Sequence, residues 1–348
     1  MNEQQTGILR GQGRRRLIAA LLLVGAGAAG CATTPAVPAD PRLRQLATVY
    51  IERALHYPDS PAVRAEAIEA AANVLGPEAR LAIREGLKDE HAGVRFAACM
   101  ALGKIKDTGS MTALRAAAKD PDPNVRVGAY FGLERMGDLS YRRLWYDVLR
   151  GHEDPKVRRN AALALGHLEN KDVIPVLRTA AGSDGDDGVR LQALEALALL
   201  GDRDAINRFI YEAYGGVGFR QPFALLTLGR VADPGVVSVL RSRLRNAPHL
   251  TSRLLAARGL AMRGYDQGYE LALKSLNWNR PHETLPDDPP ANQIMRVRSM
   301  AALVLGEIGD RRALGWLKAR MQEPDDPRVQ LAAATAILMT LNKPTAEE

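Results

Sequence analysis

Few residues in this 348-residue chain combine the types and the spacing that chemistry demands. His152-Glu153 and His282-Glu283 each set an imidazole beside a carboxylate, the donor types of a metal site. One pair precedes a predicted helix and the other falls in an irregular segment, so no common scaffold unites them. The six histidines show no zinc spacing. Gly215-Gly216-Val217-Gly218 has the glycines of a phosphate loop, but no Lys-Ser/Thr follows and no strand pattern precedes. Cys31 and Cys99 are the only cysteines, and Cys99 falls on the inner side of a predicted helix as a small buried hydrophobe. No nucleophile, base and orienting group fall together. The residues therefore predict no catalytic site, no metal and a chain that is not an enzyme.

The chemistry that does recur is cationic. Val-Arg returns at Val63-Arg64, Val94-Arg95, Val125-Arg126, Val157-Arg158 and Val189-Arg190, then at Val297-Arg298, with Val329-Gln330 closing the series. The first five are spaced by 31 or 32 residues, the period of a stack of supersecondary units. Such units bury their apolar faces only against their neighbours, which predicts an elongated superhelix and a long surface in place of a pocket.

The elements follow from offsets to the valine. Asp lies three residues earlier in Asp122, Asp154, Asp186 and Asp326, and Pro two earlier in Pro61, Pro123, Pro155 and Pro327. That is a capping residue followed by proline at the first helical position, where no backbone donor is lost. Small or apolar residues four, seven and eight after the valine, as in Ala161, Ala164 and Leu165, give helix A its buried stripe. Thirteen after it, Asp107, Asp138, Asn170, Asp202 and Asp310 cap a second helix, B, with stripes such as Ile83 and Leu87 or Leu317 and Met321.

Paired helices with Asp-Pro and Val-Arg at these offsets resemble HEAT repeats, of the subtype named after phycobilisome (bilin) lyases. The resemblance covers residues 41–341 and implies an all-α solenoid of antiparallel helix pairs. Counting degenerate units at Phe219-Arg220 and Ser252-Arg253 gives about eight repeats. A leading helix from Pro41 to Tyr57 and a final one from Pro327 to Leu341 are expected to cap the two ends. The His-Glu pairs are similar in type to those of deoxyhypusine hydroxylase, a HEAT-repeat enzyme, but that family carries four of them on helices.

Two surfaces stand out as candidate partner sites. In helix B, the residue after the first core position gives Arg84, Arg115, Tyr146, Arg178, Ile210, Arg241 and Lys318. HEAT arrays line their concave side with helix B, so this column predicts either a broken basic stripe for an acidic protein segment or aliphatic stems covering helix seams. An insertion at 277–293 carries Trp278 beside Arg280, either an exposed anchor or a ring tucked against its own repeats.

The N-terminus speaks to location. Arg10 and Arg14-Arg15-Arg16 precede an apolar run, Leu17 to Gly27, too short to span a membrane, and small residues before Cys31. This resembles a bacterial lipoprotein signal, with residues 1–30 removed and Cys31 lipidated. Ala28 stands where that family prefers Leu. Residues 31–40 read as a tether and 342–348 as a disordered tail. The net charge of +7 falls to +4 without the four arginines and Glu3 of the leader. Ala32 after the cysteine points to the outer membrane, facing the periplasm, where nucleic acid is no expected partner. The residues thus predict a lipid-anchored, non-catalytic protein-binding scaffold without cofactors beyond the lipid. The repeat resemblance implies the alternative, a bilin-lyase-like enzyme, although pigment loading in the cytosol conflicts with export.

Overall fold

The caps work as their spacing predicts. Asp122, Asp154 and Asp326 accept hydrogen bonds from the backbone N–H of Asn124, Lys156 and Arg328 at 2.8, 2.8 and 2.9 Å, with proline at each first helical position. A computed structural model describes residues 41–216, 220–281 and 288–344, and these residues contain helices and no strand. The leader, Cys31, the tether, His282-Glu283 and residues 345–348 lie outside the described residues. Among the described residues no helix is long and apolar enough to cross a membrane.

After α1 (Pro41–Leu55), eight A/B pairs follow. They are α2 (Pro61–Val74) with α3 (Arg80–Glu85), α4 (Ala92–Lys104) with α5 (Met111–Ala117), and α6 (Pro123–Arg135) with α7 (Arg142–Gly151). Next come α8 (Pro155–Gly166) with α9 (Ile174–Ser183), α10 (Asp187–Leu199) with α11 (Arg203–Gly215), and α12 (Arg220–Arg230) with α13 (Val236–Asn246). The last are α14 (Leu250–Ala261) with α15 (Tyr269–Ser275) and α16 (Pro290–Ile308) with α17 (Leu314–Gln322), before a final α18 (Pro327–Asn342).

The expected superhelix of antiparallel helix pairs forms, and it curves far enough to close on itself. α18 packs on α16 as a ninth helix A, and also on α1 and α2, so the array closes into a ring. Among the described residues no helix B follows α18 and no helix A precedes α1. α18 and α1 together supply one composite unit, where separate caps were expected. Arg44 donates to Asn342 Oδ1 at 2.6 Å, and Asn342 Nδ2 donates to the Val74 carbonyl at 2.8 Å. Asn342 therefore completes a helix where a polar tail was expected to begin.

The A helices form the inner wall of the ring. Their mutual contacts are made by glycine and alanine: a Cβ on Gly229 would lie 2.6 Å from Gly259 Cα, and one on Gly306 would lie 2.6 Å from Ala336 Cα. The core towards the B layer holds the bulk, including Trp145, Phe209, Leu114 and Leu177. Each unit is thus a wedge with its thin edge at helix A, which curves the array opposite to the expectation that helix B lines the concave face. The contact between α10 and α12 is the slightest in the inner wall, at the degenerate, glycine-rich entry to the sixth unit.

The Val-Arg arginines tie the units together. Arg64, Arg95 and Arg158 each hold both oxygens of an aspartate in the next loop, Asp89, Asp120 and Asp184, at 2.8–2.9 Å. A remaining Nη1 donates backwards to two loop carbonyls, Tyr57 and Pro58, Asp89 and Glu90, or His152 and Glu153. Arg298 makes both kinds of contact without the fork: Nε donates to the Trp278 carbonyl and Nη1 to Asp325 Oδ2, each at 2.7 Å. Arg126 keeps the carbonyl contacts, but the equivalent loop position is His152 and no carboxylate fork forms there.

Candidate functional site

Where the A helices face the centre, residues six and ten positions past the valine line a lumen. The tenth-position column runs Asn73, Lys104, Arg135 and His167; the sixth runs Glu69, Met100, Phe131, Leu163 and Glu195. Positions six and ten lie on one helical face, opposite the stripe that meets helix B. Arg230 at the end of α12 enters from a non-adjacent unit, and with these side chains, Glu195 excepted, it bounds a cavity of about 400 Å³ with Phe96 and Glu169 at its edges.

The lumen mixes apolar walls with charges held close. Arg230 Nη2 donates to His167 Nε2 at 3.4 Å, which makes that nitrogen an acceptor and leaves the proton on Nδ1. Arg230 also meets Glu195, whose side chain is 4 % exposed, at 3.2 Å. Lys104 Nζ donates to Asn73 Oδ1. Arg135 lies 3.6 Å from Glu169, and further round the wall Arg258 lies 3.5 Å from Glu307.

Enclosure sets the protonation states. Burial, followed by Arg230, Lys104 and Arg135, pushes the His167 imidazole down to about 4, so it is neutral at pH 7. Burial and Arg230 also lower Lys104, while nearby Glu69 raises it. Burial raises Glu69 against the opposing pull of Lys104. Glu69 and Lys104 reach solvent inside the lumen yet are walled by protein, and that geometry weakens hydration without removing water. Perturbed acids and bases converging on a cavity are the physical marks of a functional site.

The residues singled out from the sequence lie elsewhere. The helix B column is on the outer layer, and its arginines grip the cap of the following helix B: Arg84 holds Asp107 at 2.6 Å, Arg115 holds Asp138 at 2.9 Å and Arg178 holds Asp202 at 2.8 Å. Asp107 is occupied by Arg84 and makes no side-chain cap, a departure from its expected role. Arg150 lies over the Tyr146 ring at 5.8 Å, Arg241 stacks on Tyr265 at 4.7 Å, and Lys318 is exposed.

Trp278 is half-buried against the core rather than an exposed anchor. Its Nε1 donates to the carbonyl of exposed Arg280, and its own carbonyl accepts from Arg298. The insertion is also shorter than expected, because α16 begins at Pro290 and takes up its last four residues. Cys99 is fully buried, and burial pushes its thiol up. His152 Nδ1 accepts from the Asp154 N–H in a loop, and no group of potential metal ligands gathers among the described residues.

Comparison with known proteins corrects the functional expectation. The model for HEAT repeats matches residues 50–134 and 142–210, and that for the PBS lyase HEAT-like repeat matches residues 297–323. The chain is 29% identical over 137 residues to the bilin biosynthesis protein PecE of Mastigocladus laminosus, covering 39% of this chain and 40% of PecE. It thus spans about two fifths of the curated relative it matches. Among solved structures, the complex of CpcE and CpcF of phycocyanin lyase from Nostoc sp. PCC7120 aligns with 18% identity and a TM-score of 0.43, covering 78% of this chain and 98% of that one. Human deoxyhypusine hydroxylase aligns with 18% identity and a TM-score of 0.37, covering 87% and 98%. The similarity to a bilin biosynthesis protein overturns both the expected non-catalytic scaffold and the expectation that the chain is not an enzyme, and favours the bilin-lyase alternative. With repeat models matched over more than half of its length and the helix pairs in place, the chain belongs to the HEAT-repeat proteins.

Proposed function

We propose that this chain is a bilin-lyase-type protein that holds a linear tetrapyrrole in its lumen and joins it to a cysteine of a partner protein. The similarity to PecE carries the reading, and the chemistry of the lumen supports it. A linear tetrapyrrole is an elongated, largely apolar molecule with polar nitrogens and carboxylate arms. Phe96, Met100, Phe131 and Leu163 offer it apolar surface, and the cations beside them offer charge.

In the joining step, a thiol S–H adds across an exocyclic C=C of the ligand. A C–S bond forms, the double bond becomes single, and the sulfur's proton ends on the second carbon, so nothing is released. His167 Nε2, freed when Arg230 turns to a carboxylate arm of the ligand, is the candidate base for that thiol, and Lys104 the candidate proton donor. Cys99 is too deeply buried to be the acceptor, so the acceptor cysteine belongs to the partner. An exported chain anchored through Cys31, handling its ligand at the envelope, is part of the same proposal.

The test incubates purified protein with a bilin bearing an exocyclic ethylidene group and an apo-biliprotein with a free acceptor cysteine. Covalent adduct is read by zinc-induced fluorescence on a denaturing gel. The expected result is an adduct rate at least tenfold above the protein-free control and reduced in His167→Gln. A rate equal to the control overturns the proposal.

A further inference from the structure

We propose that Lys104, Arg135, Arg230 and Arg258 form a carboxylate-binding station in the lumen, built for an elongated apolar ligand that carries acid groups. The station stands on its own geometry. Only the identity of its ligand as a linear tetrapyrrole rests on the function proposed above.

Two kinds of arginine contact separate frame from lumen. In the frame, Arg64, Arg95 and Arg158 engage both oxygens of their aspartates at 2.8–2.9 Å, the fork-to-fork geometry of a satisfied pair. In the lumen the contacts are single and long: Arg135 to Glu169 at 3.6 Å, Arg258 to Glu307 at 3.5 Å and Arg230 to Glu195 at 3.2 Å. The Nε groups of Arg135 and Arg258 are buried without a hydrogen-bond partner, a state they share with Arg243, Arg263 and Arg320 outside the cavity, so the long single contacts are what set the lumen arginines apart. The second contact of Arg230 is the 3.4 Å donation to neutral His167, which brings no countercharge.

A guanidinium held this way has donors to spare in a place where an unmet donor is costly. The cations also oppose one another, because Arg230 disfavours the charged forms of Lys104 across the lumen and of Arg258 on the neighbouring helix. An entering carboxylate relieves that repulsion and completes the open forks. The apolar walls of Phe96, Met100, Phe131 and Leu163 select an acid with a hydrophobic body over a small hydrated anion.

The first arm of the test uses suberate, an aliphatic dicarboxylate, against sodium chloride at equal ionic strength and against neutral dimethyl suberate. Thermal unfolding of the full chain is followed by circular dichroism. Suberate is expected to raise the wild-type midpoint by roughly 3 °C near saturation, and neither control should. Arg230→Gln and Lys104→Gln, each shown to be helical, should lose at least half of the rise. No rise in wild type, or an equal rise in both variants, overturns the station.

The second arm titrates biliverdin and its dimethyl ester by absorbance. The free acid should bind at least about tenfold more tightly, as the loss of one charged pair implies. Equal binding of acid and ester overturns the station while leaving the tetrapyrrole reading intact. Binding of neither, with the suberate rise present, supports the station and removes the tetrapyrrole as its ligand.

Discussion

A neutral histidine enclosed among cations makes the stability of the ring depend on mild acid. His167 falls from an ordinary 6.5 to about 4 in the folded chain, with burial the largest cause and Arg230, Lys104 and Arg135 adding to it. The unfolded state therefore binds this proton first, and folding expels it. The contribution is full above pH 6.5, is lost as pH falls through 6.5, and reaches its limit below about pH 4. Over the whole window the shift corresponds to about 3 kcal/mol, and between pH 7 and pH 5 to about 2 kcal/mol.

Replacement of His167 by Gln removes the titration while keeping a side-chain acceptor for Arg230. The assay is urea unfolding at pH 7, 6 and 5, followed by helical circular dichroism, with both proteins compared at each pH. Wild type should lose about 2 kcal/mol more than the variant between pH 7 and pH 5. Glu69 works in the opposite sense, since its raised value means that the folded chain gains a proton, and stability is lost as pH rises through it. That contribution is common to both proteins and cancels in the comparison. An equal loss in wild type and His167→Gln would refute the enclosure argument and, with it, the neutral base.

Three further outcomes follow from the frame. Asn342→Ala removes both hydrogen bonds that seal the composite unit and should cost about 1–3 kcal/mol in urea unfolding; an unchanged midpoint would argue against a sealed ring. Arg158→Ala removes a guanidinium, 15 % exposed, that holds both Asp184 oxygens and two loop carbonyls and should cost about 3 kcal/mol, whereas Arg178→Ala removes one that is 66 % exposed and holds a single Asp202 oxygen, and should cost less than about 1 kcal/mol. Reversal of that order would show that the ladder does not hold the units. Cys31→Ser should release the protein from membranes in fractionated cells, and unaltered fractionation would refute lipid anchoring.

Local rules made the helix pairs legible, because a cap, a proline and a stripe act within one or two turns. Closure is not local. It accumulates from the small angle each wedge contributes, and no single residue pair encodes the sum. The entries do not reveal it either: Asp326-Pro327 opens α18, and Asp40-Pro41 stands in the same way before α1, the helix that packs on α18.

The lumen was hidden by one borrowed assumption, that helix B lines the inner curve. With the concavity assigned to B, positions six and ten of helix A had no surface to occupy and their unusual residues drew no attention. Yet Asn73, Lys104, Arg135 and His167 follow one another at the same position of successive units, four different polar side chains in a helix otherwise rich in alanine and leucine. A position that serves stacking repeats its residue type, as the Val-Arg pair does. Over these four units, before Leu199 ends the run, the position changes type while staying polar, and such a position faces something the repeat does not supply.

The outer stripe can be judged by the same rule, and it behaves in the opposite way. Arg84, Arg115 and Arg178 precede Asp107, Asp138 and Asp202 by 23 or 24 residues, and each pair is joined. Where the column holds Tyr146, the matching cap is Asn170, which binds the Asp172 N–H and no cation. Where it holds Ile210, Asp233 takes Arg203 instead at 2.5 Å. Where arginine and aspartate are both present one neutralises the other across a unit boundary, and Arg241 meets Gln267 in the same way. Such a column follows the needs of its neighbour in the stack, so its charge is spent within the frame. The lumen cations have no matching partners at a fixed offset, and their poor pairing is what leaves them available to a ligand.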